Sequence, residues 1–85
     1  MEMHYVLTIH AAQVLEERDI PLAWLERAIE HPEWVMPDPR DPSVQRHFRR
    51  IPEFGNRVLR VAVNTAVEPA RVVSIFFDRN ARVQP

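Results

Sequence analysis

Pro37, Pro39 and Pro42 put three prolines within six positions of the stretch "MPDPRDPS" and divide an 85-residue chain into two unlike parts. Each proline removes a backbone N–H and fixes φ, so this stretch cannot run as a helix or as a central strand and reads as a connector. Before it, apolar residues recur with a helical period. After it, they alternate with a period of two. A chain built this way is expected to be α+β, with helices first and a sheet second.

The first part opens on "HYVLTI", His4 to Ile9, which is apolar and β-prone and reads as a short strand. From Ala11 the spacing of Ala11, Val14 and Leu15 is helical, and Arg18 continues that stripe one turn later. Pro21 disfavours a helical Ile20 yet suits the first position of a new helix, so a second helix is expected from about Pro21 to Glu30. Leu22, Leu25 and Ile29 form its apolar face, which Trp24 and Ala28 widen. His31 precedes Pro32 and should end it.

Beyond the connector, "VQRHFRRI" (44–51), "RVLRVAVN" (57–64) and "RVVSIFFD" (71–78) read as three strands, the first two joined through Gly55-Asn56, a hairpin signal that uses the chain's single glycine. The expected fold is a single domain over 1–85. Its helical part covers about 10–31, the connector 36–43 and a β-meander 44–78. An N-terminal strand and two short helices pack on one face of a small antiparallel sheet of three to four strands. Alternation assigns Leu59, Val61, Val63, Val73, Ile75 and Phe77 to the helix-covered face. It leaves Arg60, Ser74, Phe76 and Asp78 on the open one. A register that turns Val44 and Phe48 inward adds Gln45, His47 and Arg49 to the open face, and a one-residue slip would reverse them.

Charge is unevenly distributed. Residues 1–38 carry eight acids against Arg18 and Arg27, whereas residues 39–85 carry nine arginines against Asp41, Glu53, Glu68 and Asp78. Every cation of the two types lysine and arginine is arginine, the side chain suited to planar recognition of phosphate or carboxylate. A coding bias toward arginine would give the same composition, but not the separation of sign. An acidic helical layer over a basic sheet face is therefore expected.

The composition excludes several chemistries. A chain of this length buries only about 60% of its unfolded surface, so any site should be open and shallow. One glycine cannot build a glycine-rich phosphate loop, and with no cysteine and no paired histidine spacing neither a metal nor another cofactor is expected. Ser43 and Ser74 lack the tight turn of a nucleophile elbow. No apolar run approaches the roughly 20 residues of a membrane span. With no secretory layout at the N-terminus, a cytoplasmic location is expected.

The stretches "LTIHAAQVLEERDIPLAWLERAIEHPEW", "FRRIPEFGNRVLRVAVN" and "RVVSIFFDRNARV" resemble the bacterial domain-of-unknown-function family 4258. The most specific element is His10-Ala11 followed by Arg18-Asp19-Ile20, where Asp19 stands in place of the family's usual glycine. That family is distantly similar to the RelE-like and BrnT-like toxins of toxin–antitoxin pairs. The second resemblance implies an RNA-cleaving surface opposite the helices and an antitoxin-like protein partner.

Metal-independent RNA cleavage uses the 2′-hydroxyl of the RNA, so the protein supplies proton transfer and cations for the phosphorane. On the expected open face His47 suits the proton transfer, Arg49 and Arg60 the electrostatics, and Phe76, or Tyr5, base stacking, with Ser74 and Asp78 beside them. A structural reading of the same face pairs Arg60 with Asp78 and leaves His47 and Ser74 in solvent. His10, near a helix start, and Arg18, at the turn between helices, read as structural residues that the family resemblance makes candidates for a site. The alternative function is a non-catalytic interaction module or homodimer, with Trp24 and Trp34 as apolar anchors.

Overall fold

In a computed structural model of the chain, residues 4–81 are described. The order is β1 (Tyr5–Leu7), α1 (Ile9–Glu17), α2 (Leu22–Glu30), β2 (Trp34–Pro37), β3 (Val44–Ile51), β4 (Arg57–Asn64) and β5 (Ala70–Phe77). The strands form one five-stranded sheet in the order β1-β5-β4-β3-β2. The α+β class is as expected, but the sheet is larger and mixed. β1 lies parallel to β5, and β2 adds an antiparallel edge beside β3. The edge accommodates Pro37, since only one side of that strand must donate to a neighbour.

α1 starts earlier than its apolar spacing suggests because Thr8 caps it, its Oγ1 accepting from the Ala11 N–H at 3.1 Å. Arg18 closes this helix, and Asp19 takes a left-handed φ of 52° before Ile20 enters the core. α2 begins after Pro21 and buries Leu25, Ala28 and Ile29, whereas Leu22 is exposed. Both helices lie on one side of the sheet, over Ile51, Leu59, Val61, Val63, Val72 and Ile75. Burying this set is the main driving force available to so small a chain.

The connector is a folded turn. Asp38 Oδ1 accepts from the Arg40 and Asp41 N–H groups, and Asp41 Oδ1 accepts from the Ser43 N–H. These local bonds replace the backbone partners that the prolines cannot supply, and they turn β2 back into β3. At the next hairpin, Gly55 and Asn56 have φ of 65° and 58°. The Asn56 N–H closes the loop onto the Ile51 carbonyl.

Two register expectations are corrected. An irregularity between Ala62 and Val63 lets Val63 pair with Val72, so Val72 rather than Val73 enters the core. In β3 the faces are reversed. Ile51 is fully buried beneath the helices, and period two then carries Arg49 and His47 to the same side and Arg46, Phe48 and Arg50 to the other.

Candidate functional site

The reversal of β3 sets what the open face contains. β3 brings Arg46 and Phe48, β4 brings Arg60, β5 brings Ser74 and Phe76, and β2 brings Trp34 and Met36. Trp34 and Phe48 are directly opposed and stack at 4.8 Å with 7° between their planes. Phe48 is buried, which leaves the indole as the outer member of the stack. Across the next strand pair the Arg60 guanidinium sits 4.0 Å over the Phe76 ring. Trp34, Met36, Arg46, Phe48, Arg60 and Asp78 surround a shallow cleft of about 280 Å³.

Three open-face arginines are held by carboxylates. Arg60 Nη1 donates to Asp78 Oδ2 at 3.0 Å, Arg46 Nε to Asp38 Oδ2 at 3.1 Å, and Arg50 Nε bridges both oxygens of Glu33. The expected unbroken basic patch is thus a set of oriented ion pairs. Burial pushes the Arg60 guanidinium below its ordinary value, the like charge of Arg46 acts the same way, and Asp78 opposes both. Backbone N–H donation from Arg40, with Arg46 assisting, holds the Asp38 carboxyl low. Arg50 does the same for Glu33. A guanidinium has five donors, so Arg46 and Arg60 keep N–H groups for a ligand after satisfying their acids.

Of the residues singled out in the sequence, Arg60, Phe76 and Asp78 meet in space, and Ser74 lies on the same face opposite Ala62. His47 and Arg49 do not join them. His47 is buried against α2, where burial lowers its pKa against the polar backbone of Ala28 and Ile29, and its Nδ1 has no partner. Arg49 donates to the His31 carbonyl at the end of α2. His10 is exposed in the first turn of α1, where Thr8 rather than His10 is the cap. Arg18 is exposed at the far end of that helix. Tyr5 lies in β1, at the opposite edge of the sheet from Trp34.

Trp34, Arg46 and Phe48 are the members that alternation missed. The signal that finds Arg46 and Phe48 is Ile51: counting back from a strand end that must be buried gives the observed faces of β3, although it sends a histidine and an arginine inward.

The family profile described as domain of unknown function, DUF4258, matches residues 7–77. The chain belongs to this family. That span runs from the last residue of β1 to the last of β5 and so takes in both helices and the open face up to Phe76, ending one residue before Asp78. No curated protein and no solved structure matches the chain at a significant level. Among the described residues of this DUF4258 domain, no helix is long and apolar enough to cross a membrane.

Proposed function

We propose that the open sheet face binds single-stranded RNA. One observation carries the reading: the outward indole of the Trp34–Phe48 stack and the guanidinia of Arg46 and Arg60 border the same cleft. A base needs an aromatic face, and the phosphate beside it needs planar donors. Arg46 stands opposite Ala62 and Phe48 opposite Arg60, so the two guanidinia project from diagonal neighbours on one face. Their carboxylate partners fix the planes before a ligand arrives, which lowers the ordering cost of binding.

A kinship with RelE-like toxins, which the sequence resemblance suggests, would extend this reading to cleavage. Arg60 and Arg46 are then the cations facing the phosphorane, while His47 takes no part because it lies beneath α2. An antitoxin-like protein is the partner such a toxin would have, and it would cover the same face.

The test is a titration of labelled single-stranded RNA at several salt concentrations, with part of each sample incubated for cleavage. Two phosphate contacts predict that log K falls with log salt at a slope of about −1.4. In a Trp24→Phe variant the remaining tryptophan, Trp34, is expected to be quenched on binding. Arg60→Ala is expected to weaken binding by about ten- to a hundredfold, a charge-assisted contact being worth roughly 1.5–3 kcal/mol. Absence of binding at low salt by folded protein would refute the proposal and turn the search to protein partners.

A further inference from the structure

A second hollow lies at the hairpin end of the sheet and meets the open-face cleft at Asp78. Its two adjoining parts, of about 360 and 340 Å³, share Arg57, Phe77 and Arg79 as walls, and Arg18 closes the second. The three arginines come from distant points of the chain: the end of α1, the first residue of β4 and the segment after β5.

Their lack of acidic partners sets them apart. Arg27, Arg46, Arg50 and Arg60 each have a carboxylate within ion-pair distance, and Arg49 donates through Nη1 to a carbonyl. Of Arg18, Arg40, Arg57, Arg71 and Arg79, which have no carboxylate partner among the described residues, three converge here. Asp78 is the acid lining the first part, and it is already engaged. Oδ2 accepts from Arg60, and Oδ1 accepts from the Asn80 and Ala81 N–H groups.

The floor is aromatic. Phe54 lies 4.9 Å from Phe77 and 5.7 Å from Trp24, and the Arg57 guanidinium rests 4.7 Å over the Phe54 ring. An apolar floor beneath a charged rim strengthens the field an anion meets, because it keeps water from one side. The Phe54 ring also orients Arg57, so less freedom is lost when it binds.

We infer that this hollow, formed by Arg18, Arg57 and Arg79 over Phe54 and Phe77, is a binding site for a phosphate dianion. Three guanidinia without counter-charges call for more negative charge than one carboxylate carries, and a terminal phosphate supplies it in a compact group matched to the guanidinium fork. A small phosphorylated molecule and the 5′ end of an RNA present the same chemistry. The site stands independently of RNA binding on the open face.

Calorimetric titration with pyrophosphate at matched ionic strength tests it. Saturable binding is expected for the native chain. Arg18→Gln and Arg79→Gln are each expected to weaken it by about five- to tenfold, a charge-assisted hydrogen bond with allowance for screening. Arg18 and Arg79 are exposed, so both variants should fold. Arg71→Gln removes another exposed, unpaired arginine about 20 Å away along β5 and is expected to leave binding unchanged. Heats that do not saturate, or an equal loss in all three variants, would overturn the inference. A 5′-phosphorylated oligonucleotide binding more tightly than its 5′-hydroxyl counterpart, with the preference lost in Arg79→Gln, would identify the phosphate as an RNA end. Equal binding of the two oligonucleotides beside retained pyrophosphate binding would identify a small molecule.

Discussion

Lowering the pH from about 7.5 to about 5.5 is expected to cost the fold up to about 1.4 kcal/mol through one side chain, His47. It is 6% exposed, with Nδ1 unpartnered, and burial lowers its pKa from the ordinary 6.5. The unfolded chain therefore takes up a proton at a pH where the folded chain does not, and stability falls as pH falls. At pH 5.5, one unit below the ordinary value, an unfolded histidine is about tenfold more protonated than neutral. The loss at that pH is therefore bounded by RT ln 11, or about 1.4 kcal/mol, and it levels off only below the folded-state pKa. The carboxylates held low by arginine or backbone donors, at Glu33, Asp38 and Glu53, contribute stability that is lost only as pH falls below the unfolded carboxyl range of about 4 to 4.5, outside this window. Urea unfolding at the two pH values reads the effect, with His47→Gln as reference. That variant keeps the exposed His4, His10 and His31, so the difference between the two proteins isolates position 47. Equal losses in both proteins, or no loss in the native chain, would refute the reasoning. The result also bears on function, because an imidazole buried beneath α2 cannot exchange protons with a ligand on the opposite sheet face.

Asp19→Gly is expected to raise stability by a few tenths to about 1 kcal/mol. Relief of a left-handed φ in a residue with a Cβ is offset in part by the greater freedom of unfolded glycine, and a fall in Tm would contradict this. Arg27→Ala is expected to return the Glu53 carboxyl from about 2 toward the ordinary range near 4.3, since a two-pronged hydrogen bond from Arg27 is the largest cause of its depression. A carbon-detected NMR titration of Glu53 that shows no movement would contradict this.

The two helices were legible because proline, period and apolar spacing agree there, and β4 was legible because Leu59, Val61 and Val63 alternate without interruption. What escaped has local physical causes. Trp34–Pro37 pairs as an edge strand although the prolines after it favour a turn, because an edge position forgives a missing donor. The irregularity opposite Ala62 and Val63 inserts one residue into β5, and no side chain in "RVVSIFF" announces it. β3 was turned over because "RHFRR" offers a phenylalanine and no other large apolar residue before Ile51. Placing Phe48 in the core looks favourable until the cost of exposing Ile51 is counted. The structure satisfies both residues by burying Ile51 under the helices and Phe48 under Trp34. Arg60, Phe76 and Asp78 were found together because β4 and β5 keep the expected register at that end of the sheet. Trp34 was missed there because its strand was.

Charge separation along the chain did not become charge separation in space. The acids of the first half return as partners of the second half's arginines: Glu33 holds Arg50 and Asp38 holds Arg46, while Asp78 does the same for Arg60 from within the second half. Partly exposed pairs of this kind contribute about 0–1 kcal/mol each to stability, so their main effect is to fix where guanidinium planes point. A sheet face of oriented pairs is close to neutral overall and attracts RNA through placed donors and an indole rather than through long-range field. Its affinity should therefore depend on salt less steeply than nine arginines in a row of residues suggest. The unpaired cations at the hairpin end behave in the opposite way. None of the three has a carboxylate partner of its own among the described residues, so the hollow of Arg18, Arg57 and Arg79 is where salt should compete most strongly with a ligand.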